Sequence, residues 1–117
     1  VEGMNLDEIF KALGDQNRLR ILNLLLENEL CVCEIEKVLG LTQSNVSRHL
    51  HELKNKRIVS CRKTSQWVYY RVSDEFCKEY GEFCEFLKTK LSSQEPFKSD
   101  LARCEEKKKG FSCEKTK

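Results

Sequence analysis

Apolar residues recur along the chain at helical spacing, in blocks separated by glycine or by capping polar residues. Leu6, Ile9, Phe10 and Leu13 make a first short amphipathic helix, which Gly14 should end. Asp15 is placed to cap a second helix running to Glu27, with Leu19, Leu22, Leu25 and Leu26 inward and Ile21 and Leu24 widening the stripe. Val32, Ile35 and Leu39 recur at i, i+3 and i+7 up to Gly40, a natural C-cap. Thr42 can cap a further helix whose buried side is Val46, Leu50 and Leu53. The period then changes. IVSCR and WVYYRV are β-branched and aromatic runs flanking Lys63, Thr64, Ser65 and Gln66, which predicts a β-hairpin with a basic polar tip. That tip lacks glycine, so the turn type stays open. Ser73 caps a long helix with Asp74 and Glu75 in its first turn, favourable against the helix dipole. Phe76, Tyr80, Phe83 and Leu87 line one stripe of it, with Cys77, Cys84 and Leu91 alongside. From Ser92 the chain turns polar, which predicts a mobile tail with at most one helical turn over residues 101–109.

The face opposite Val46, Leu50 and Leu53 changes the picture. Ser44, Ser47, Arg48 and His51 recur there at i, i+3, i+4 and i+7, all able to hydrogen-bond and none acidic. Helix, glycine-containing turn and helix with a polar, basic outer face is the pattern of a helix-turn-helix, whose second helix enters the DNA major groove. A solvated helix face has much the same look, and the charge distribution weighs between the two. Residues 1–42 carry four Lys/Arg against eight Asp/Glu, residues 43–71 seven against one, and residues 72–117 ten of each, so net charges of −4, +6 and 0 make up the overall +2. Positive charge is thus concentrated on the second helix and the hairpin after it, as expected of a surface facing phosphates. A hairpin placed directly after a recognition helix is a wing, and Arg62, Lys63 and Gln66 would reach the sugar-phosphate backbone or an adjacent minor groove.

At 117 residues the chain fits one core of modest size. The aromatic surface on the last helix exceeds what one subunit needs, which predicts a two-fold homodimer through the first and last helices, matching a palindromic operator. The expected fold is therefore mainly α with a small β-hairpin: a winged helix-turn-helix DNA-binding and dimerisation domain over residues 1–91, followed by a cysteine-containing polar tail over 92–117. No stretch reads as a secretory signal or a membrane span, so the expected location is cytoplasmic and no membrane partner is expected. Seven cysteines, an odd number, argue in a reducing compartment against a disulfide framework and for metal binding or redox chemistry.

The order of elements, together with LGDQNRLRIL, ELCVCEI, LTQSNVSRHLHELK and WVYYRV, resembles the ArsR-type family of metal-sensing winged-helix repressors over residues 5–90. The resemblance implies a dimer that sits on double-stranded operator DNA and is released by a metal or metalloid inducer. It also implies that Gln43, Ser44, Ser47 and Arg48 contact DNA, in agreement with the stripe above. Cys31 and Cys33 match the ELCVC motif of arsenite- and cadmium-sensing members, where both thiolates bind the inducer. Soft thiolates select soft acceptors, and trivalent arsenic or antimony takes three in a pyramid. The expected inducer is thus arsenite or antimonite, with cadmium, lead and zinc as alternatives and no permanently bound cofactor.

The spacing carries a mechanism of its own. Helical residues two apart point roughly 200° away from one another. Both sulfurs can hold one small ion only if the first helical turn is unwound or lies outside the helix, so capture would pull on the helix that braces the reading helix. Arsenite sensors with this motif often carry a third cysteine where this chain has Glu36, a hard carboxylate poorly suited to arsenic. Cys104 and Cys113, on the expected mobile tail, are the preferred donors in its place. Cys61 alternates with Val59 and reads as structural, and Cys77 and Cys84 read as packing residues. His49 and His51 read as DNA-contacting or solvated rather than zinc-binding. A redox- or persulfide-sensing repressor of the same fold is an alternative. A thiol oxidoreductase is a distant one, because Glu29, Glu34 and Glu36 beside the Cys31/Cys33 pair would raise its pKa.

Overall fold

The computed structural model describes residues 5–108. Among the described residues, seven helices and three short strands follow one another as α1 (Leu6–Leu13), α2 (Gln16–Leu25), β1 (Leu30–Cys31), α3 (Val32–Leu39), α4 (Gln43–Asn55), β2 (Val59–Thr64), β3 (Trp67–Val72), α5 (Asp74–Glu79), α6 (Gly81–Leu91) and α7 (Phe97–Lys108). The caps fall where side-chain chemistry places them. Asp15 accepts from the N–H groups of Asn17 and Arg18 at 2.9 and 3.1 Å, Thr42 from Asn45 at 3.3 Å and Ser73 from Phe76 at 3.0 Å. Gly40 ends α3 at φ 70°, in the left-handed region that glycine adopts without penalty. Ile21, Leu22, Leu24, Ile35, Val46, Leu50, Leu53, Ile58 and Phe76 are fully enclosed, so α2, α3 and α4 share one core with the base of the hairpin.

The hairpin forms with β2 and β3 paired antiparallel from Val59 opposite Val72 to Thr64 opposite Trp67. Ser65 and Gln66 alone make the turn, and Ser65 supplies the positive φ, 59°, where such turns ordinarily use glycine. A third strand was not expected: β1 pairs with β3, setting Leu30 opposite Tyr70 and Cys31 opposite Tyr69 in a sheet of order β1-β3-β2.

Three expectations give way. The long helix after Ser73 is broken at Tyr80 (φ −127°, ψ 42°), ahead of the poor helix former Gly81. The break shifts the buried stripe: after Phe76 the enclosed positions are Cys84, Leu87 and Leu91, while Tyr80 and Phe83 are half-buried. His49 is neither solvated nor turned outward; it is buried between α4 and α2, where Nη1 of Arg18 lies 3.4 Å from its Nδ1. The mobile tail is replaced over Phe97–Lys108 by α7, which packs on α2 and α3 because Phe97, Leu101 and Cys104 fall on one face at i, i+4 and i+7. Asn23 donates to the Phe97 carbonyl at 3.1 Å, and the wholly buried Asp100 pairs with Arg20.

Candidate DNA interface and thiol site

Helix α4 is held by three inward residues, Val46, Leu50 and Leu53, each with no exposed surface. That anchoring turns Gln43, Ser44, Ser47, Arg48 and His51 outward together, and all five are exposed. Arg48 donates to Asn45 Oδ1 at 3.1 Å, one turn back on the same helix, which holds its guanidinium over the outer face. On the wing Lys63 is exposed. Arg62 is already engaged: its Nε and Nη2 donate to the two carboxylate oxygens of Glu29 at 2.8 and 3.1 Å. The sequence carries no sign that Glu29 pairs with Arg62, because nothing local marks a carboxylate in a connecting segment whose partner lies on a distant strand.

Cys31 closes β1 and at the same time stands as the N-cap of α3, outside the helix, with φ −91° and ψ 170°. It forms a capping box with Glu34, whose carboxylate accepts from the Cys31 N–H at 3.0 Å. Cys33 lies in the first helical turn, and the two cysteines share a small apolar cluster with Tyr69 and Trp67. A cavity of about 300 Å³ opens beside them, lined by Cys31, Cys33, Glu36, Gln43, Trp67 and Val68 among others. The first residue of the reading helix and the wing strand β3 therefore border the same space as the thiol segment. Burial pushes the Cys31 thiol up, against the opposing N–H of Glu34.

The other cysteines stand apart. Cys33 is disulfide-bonded, whereas Cys31, Cys61, Cys77, Cys84 and Cys104 carry free thiols. Cys104, on the inner face of α7, is buried in the main core, and burial raises its pKa. It is thus not on a swinging segment as the sequence suggested. Cys113 lies outside the described residues. Cys84 is buried and pushed up to about 11 by burial and by neighbouring Cys77. Among the described residues no three His, Cys, Asp or Glu side chains converge as a metal-binding group.

A helix-turn-helix with an outward polar and basic face, followed by a β-hairpin, defines a winged-helix DNA-binding protein. The family model described as bacterial regulatory protein, arsR family, matches residues 15–60. An uncharacterized HTH-type transcriptional regulator of Methanocaldococcus jannaschii, MJ1325, is 48% identical over 73 residues, covering 62% of this chain and 82% of that protein. The arsenic resistance transcriptional regulator ArsR1 of Pseudomonas putida is 46% identical over 68 residues, 57% of this chain and 53% of the relative, so the match spans about half of ArsR1. The cadmium resistance regulatory protein CadC homolog of Staphylococcus aureus is 40% identical over 80 residues, 68% of this chain and 66% of the relative. Among solved structures, HlyU from Vibrio cholerae superposes with a TM-score of 0.66 at 36% identity, over 74% of this chain and 91% of that one. The chain belongs to the ArsR family of transcriptional repressors, which are DNA-binding regulators and not enzymes. No described helix is long and apolar enough to cross a membrane.

Proposed function

We propose that the protein is a homodimeric operator-binding repressor released when trivalent arsenic or antimony is captured by Cys31 and by Cys33 in its reduced, thiol form. The observation that carries this reading is the cavity shared by the two cysteines, Gln43 at the start of the reading helix and Trp67 and Val68 of the wing. Cys31 already lies outside α3. Turning the Cys33 sulfur onto the same ion therefore strains the first turn of α3, next to the helix that reads DNA. The dimer is supported by Leu6, Phe10 and Phe86, large apolar side chains each at least half exposed, on the helices expected to meet a second copy.

The burial of Cys31, away from solvent that would take up a released proton, favours an acceptor that brings its own base. Arsenous acid does so: each As–S bond that forms expels a hydroxide, which leaves as water with the proton of the thiol. A bare cadmium, lead or zinc ion must instead displace that proton into solvent, at a cost that grows with the thiol pKa. A third sulfur is proposed from the C-terminal cysteines. Cys113 is the better donor, since Cys104 could reach the site only by leaving the core.

The test is fluorescence anisotropy on a duplex selected from random sequence by the reduced protein, titrated with antimonite, arsenite, cadmium, lead and zinc. Allosteric release requires a coupling of ~1 to 3 kcal/mol, or ~5 to 150-fold loss of affinity. Cys31→Ser and Cys33→Ser should keep DNA binding and lose release, and Cys113→Ser should weaken it; unchanged release in Cys33→Ser would reject the reading. The disulfide at Cys33 favours a second reading, in which the same segment senses oxidants. There two thiols would pass two electrons and two protons to a peroxide, giving a disulfide and two waters. Release by hydrogen peroxide with no response to antimonite would select it.

A further inference from the structure

Tyr69 in the central strand stands opposite Cys31 of β1 on one side and opposite Arg62 of β2 on the other. Residues directly opposite in an antiparallel sheet project to the same face, so these three form a row running from the thiol to the wing. Contacts follow the row. Cys31 and Tyr69 share one buried cluster, and the Arg62 guanidinium carbon lies 5.1 Å from the Tyr69 ring centroid. Glu29, two residues before Cys31, closes the row by gripping Arg62 with both carboxylate oxygens.

We propose that Glu29 acts as an internal phosphate mimic on Arg62, and that this clamp ties the grip of the wing on DNA to the state of Cys31. The second half rests on the thiol-site reading given above; the first half stands without it. A carboxylate offers a guanidinium the same two-oxygen fork that a DNA phosphate offers. The pair is solvent-accessible, with side chains 55% and 31% exposed, so exchanging one anion for the other is closely balanced. Leu30–Cys31 is the whole of β1. An ion fixed at Cys31 pins that strand against Tyr69 and makes Glu29 harder to withdraw. The loaded protein keeps Arg62 for itself, whereas in the unloaded protein Glu29 and the backbone of the duplex compete for it. Glu29 is thus a positioning residue acting through Arg62.

The experiment is a double-variant cycle on the full chain with Glu29→Gln, Arg62→Gln and both together, conservative changes at accessible positions. Duplex affinity is measured across a salt series without inducer, then at fixed salt with antimonite. Glu29→Gln should bind several-fold tighter and steepen the dependence of log K on log salt by up to about 0.9, the increment of one full phosphate contact. Both effects should vanish when Arg62 is also Gln. With antimonite, Glu29→Gln should lose less affinity than wild type. An unchanged salt slope, or a gain that survives without Arg62, overturns the clamp. Release that is full in Glu29→Gln overturns its link to Cys31. A wild type that antimonite does not release overturns the thiol-site reading instead, and the salt arm still decides the clamp.

Discussion

Arg20 and Asp100, eighty residues apart in the chain, meet in a two-pronged ion pair with N–O distances of 2.8 and 2.9 Å, and Asp100 has no exposed surface. Arg103 joins the same carboxylate from the next turn of α7. The two guanidiniums then donate onward, Arg103 to the Val38 carbonyl at 2.9 Å and Arg20 to that of Leu39 at 3.4 Å. These are the last residues of α3, whose carbonyls have no partner within the helix. One carboxylate on α7 thereby organises two cations that finish α3 just before the turn at Gly40.

Asp100→Ala should therefore cost about 1.5 to 3 kcal/mol, because it removes the charged acceptor of Arg20, whose side chain is 15% exposed, and of the more exposed Arg103. Urea unfolding measures it, and Asp100→Asn should fall between the variant and wild type. A loss below about 1 kcal/mol, the range of exposed pairs, would show that the network does not brace the fold.

Arg48 and Lys63 should separate by what they read. Arg48→Ala is expected to weaken binding to the selected duplex more than to random DNA, by about 1 to 3 kcal/mol, whereas Lys63→Ala should weaken both alike and reduce the salt slope by about 1. Anisotropy titrations on the two duplexes at several salt concentrations distinguish them. The opposite pattern would exchange the base and backbone assignments.

Burial of His49, opposed by Asp15 and reinforced by Arg48 and Arg18, lowers its pKa from 6.5. A histidine depressed in the folded state is protonated more readily in the unfolded chain, so stability is full above pH 6.5 and is lost as pH falls below it. Asp15, lowered from 3.8 because N–H groups and the neighbouring cations outweigh its desolvation, adds a further loss below that range. Urea midpoints between pH 7.5 and 5 should fall in the wild type and stay flatter in His49→Gln; equal slopes would remove His49 as the cause.

Phe10 meets Phe83 edge-on at 5.9 Å, and Phe83 stacks on Phe86 at 6.5 Å, while Phe10 and Phe86 remain more than half exposed. Phe10→Glu should convert the proposed dimer into a folded monomer with weakened DNA binding. Sedimentation equilibrium with circular dichroism checks both halves, and a variant that stays dimeric would move the interface elsewhere.

The parts of the fold legible in the sequence are those with local causes. Asp15, Thr42, Ser73 and Gly40 cap where their own side chains or φ angles dictate, and the outward stripe from Ser44 to His51 follows from three inward leucine and valine positions. His49 carried a signal that was passed over, since it stands at i+3 from Val46 and so on the inner side. Other features depend on distant partners. A two-residue strand such as Leu30–Cys31 is too short to show alternation. Asp100 looks like any solvated acid until Arg20 arrives, and α7 is polar on all but the face that Phe97, Leu101 and Cys104 provide. At the thiol segment, the motif singled out Cys31 and Cys33 as candidates, but neither the buried state of Cys104 nor the approach of Tyr69 is written in nearby residues.

The return of α7 to shoulder α2 and α3 has a consequence for biosynthesis. Chains emerge from the ribosome amino end first. The reading head is therefore made before the strut that completes it, and newly made molecules gain this packing only once residues 97–108 have left the ribosome.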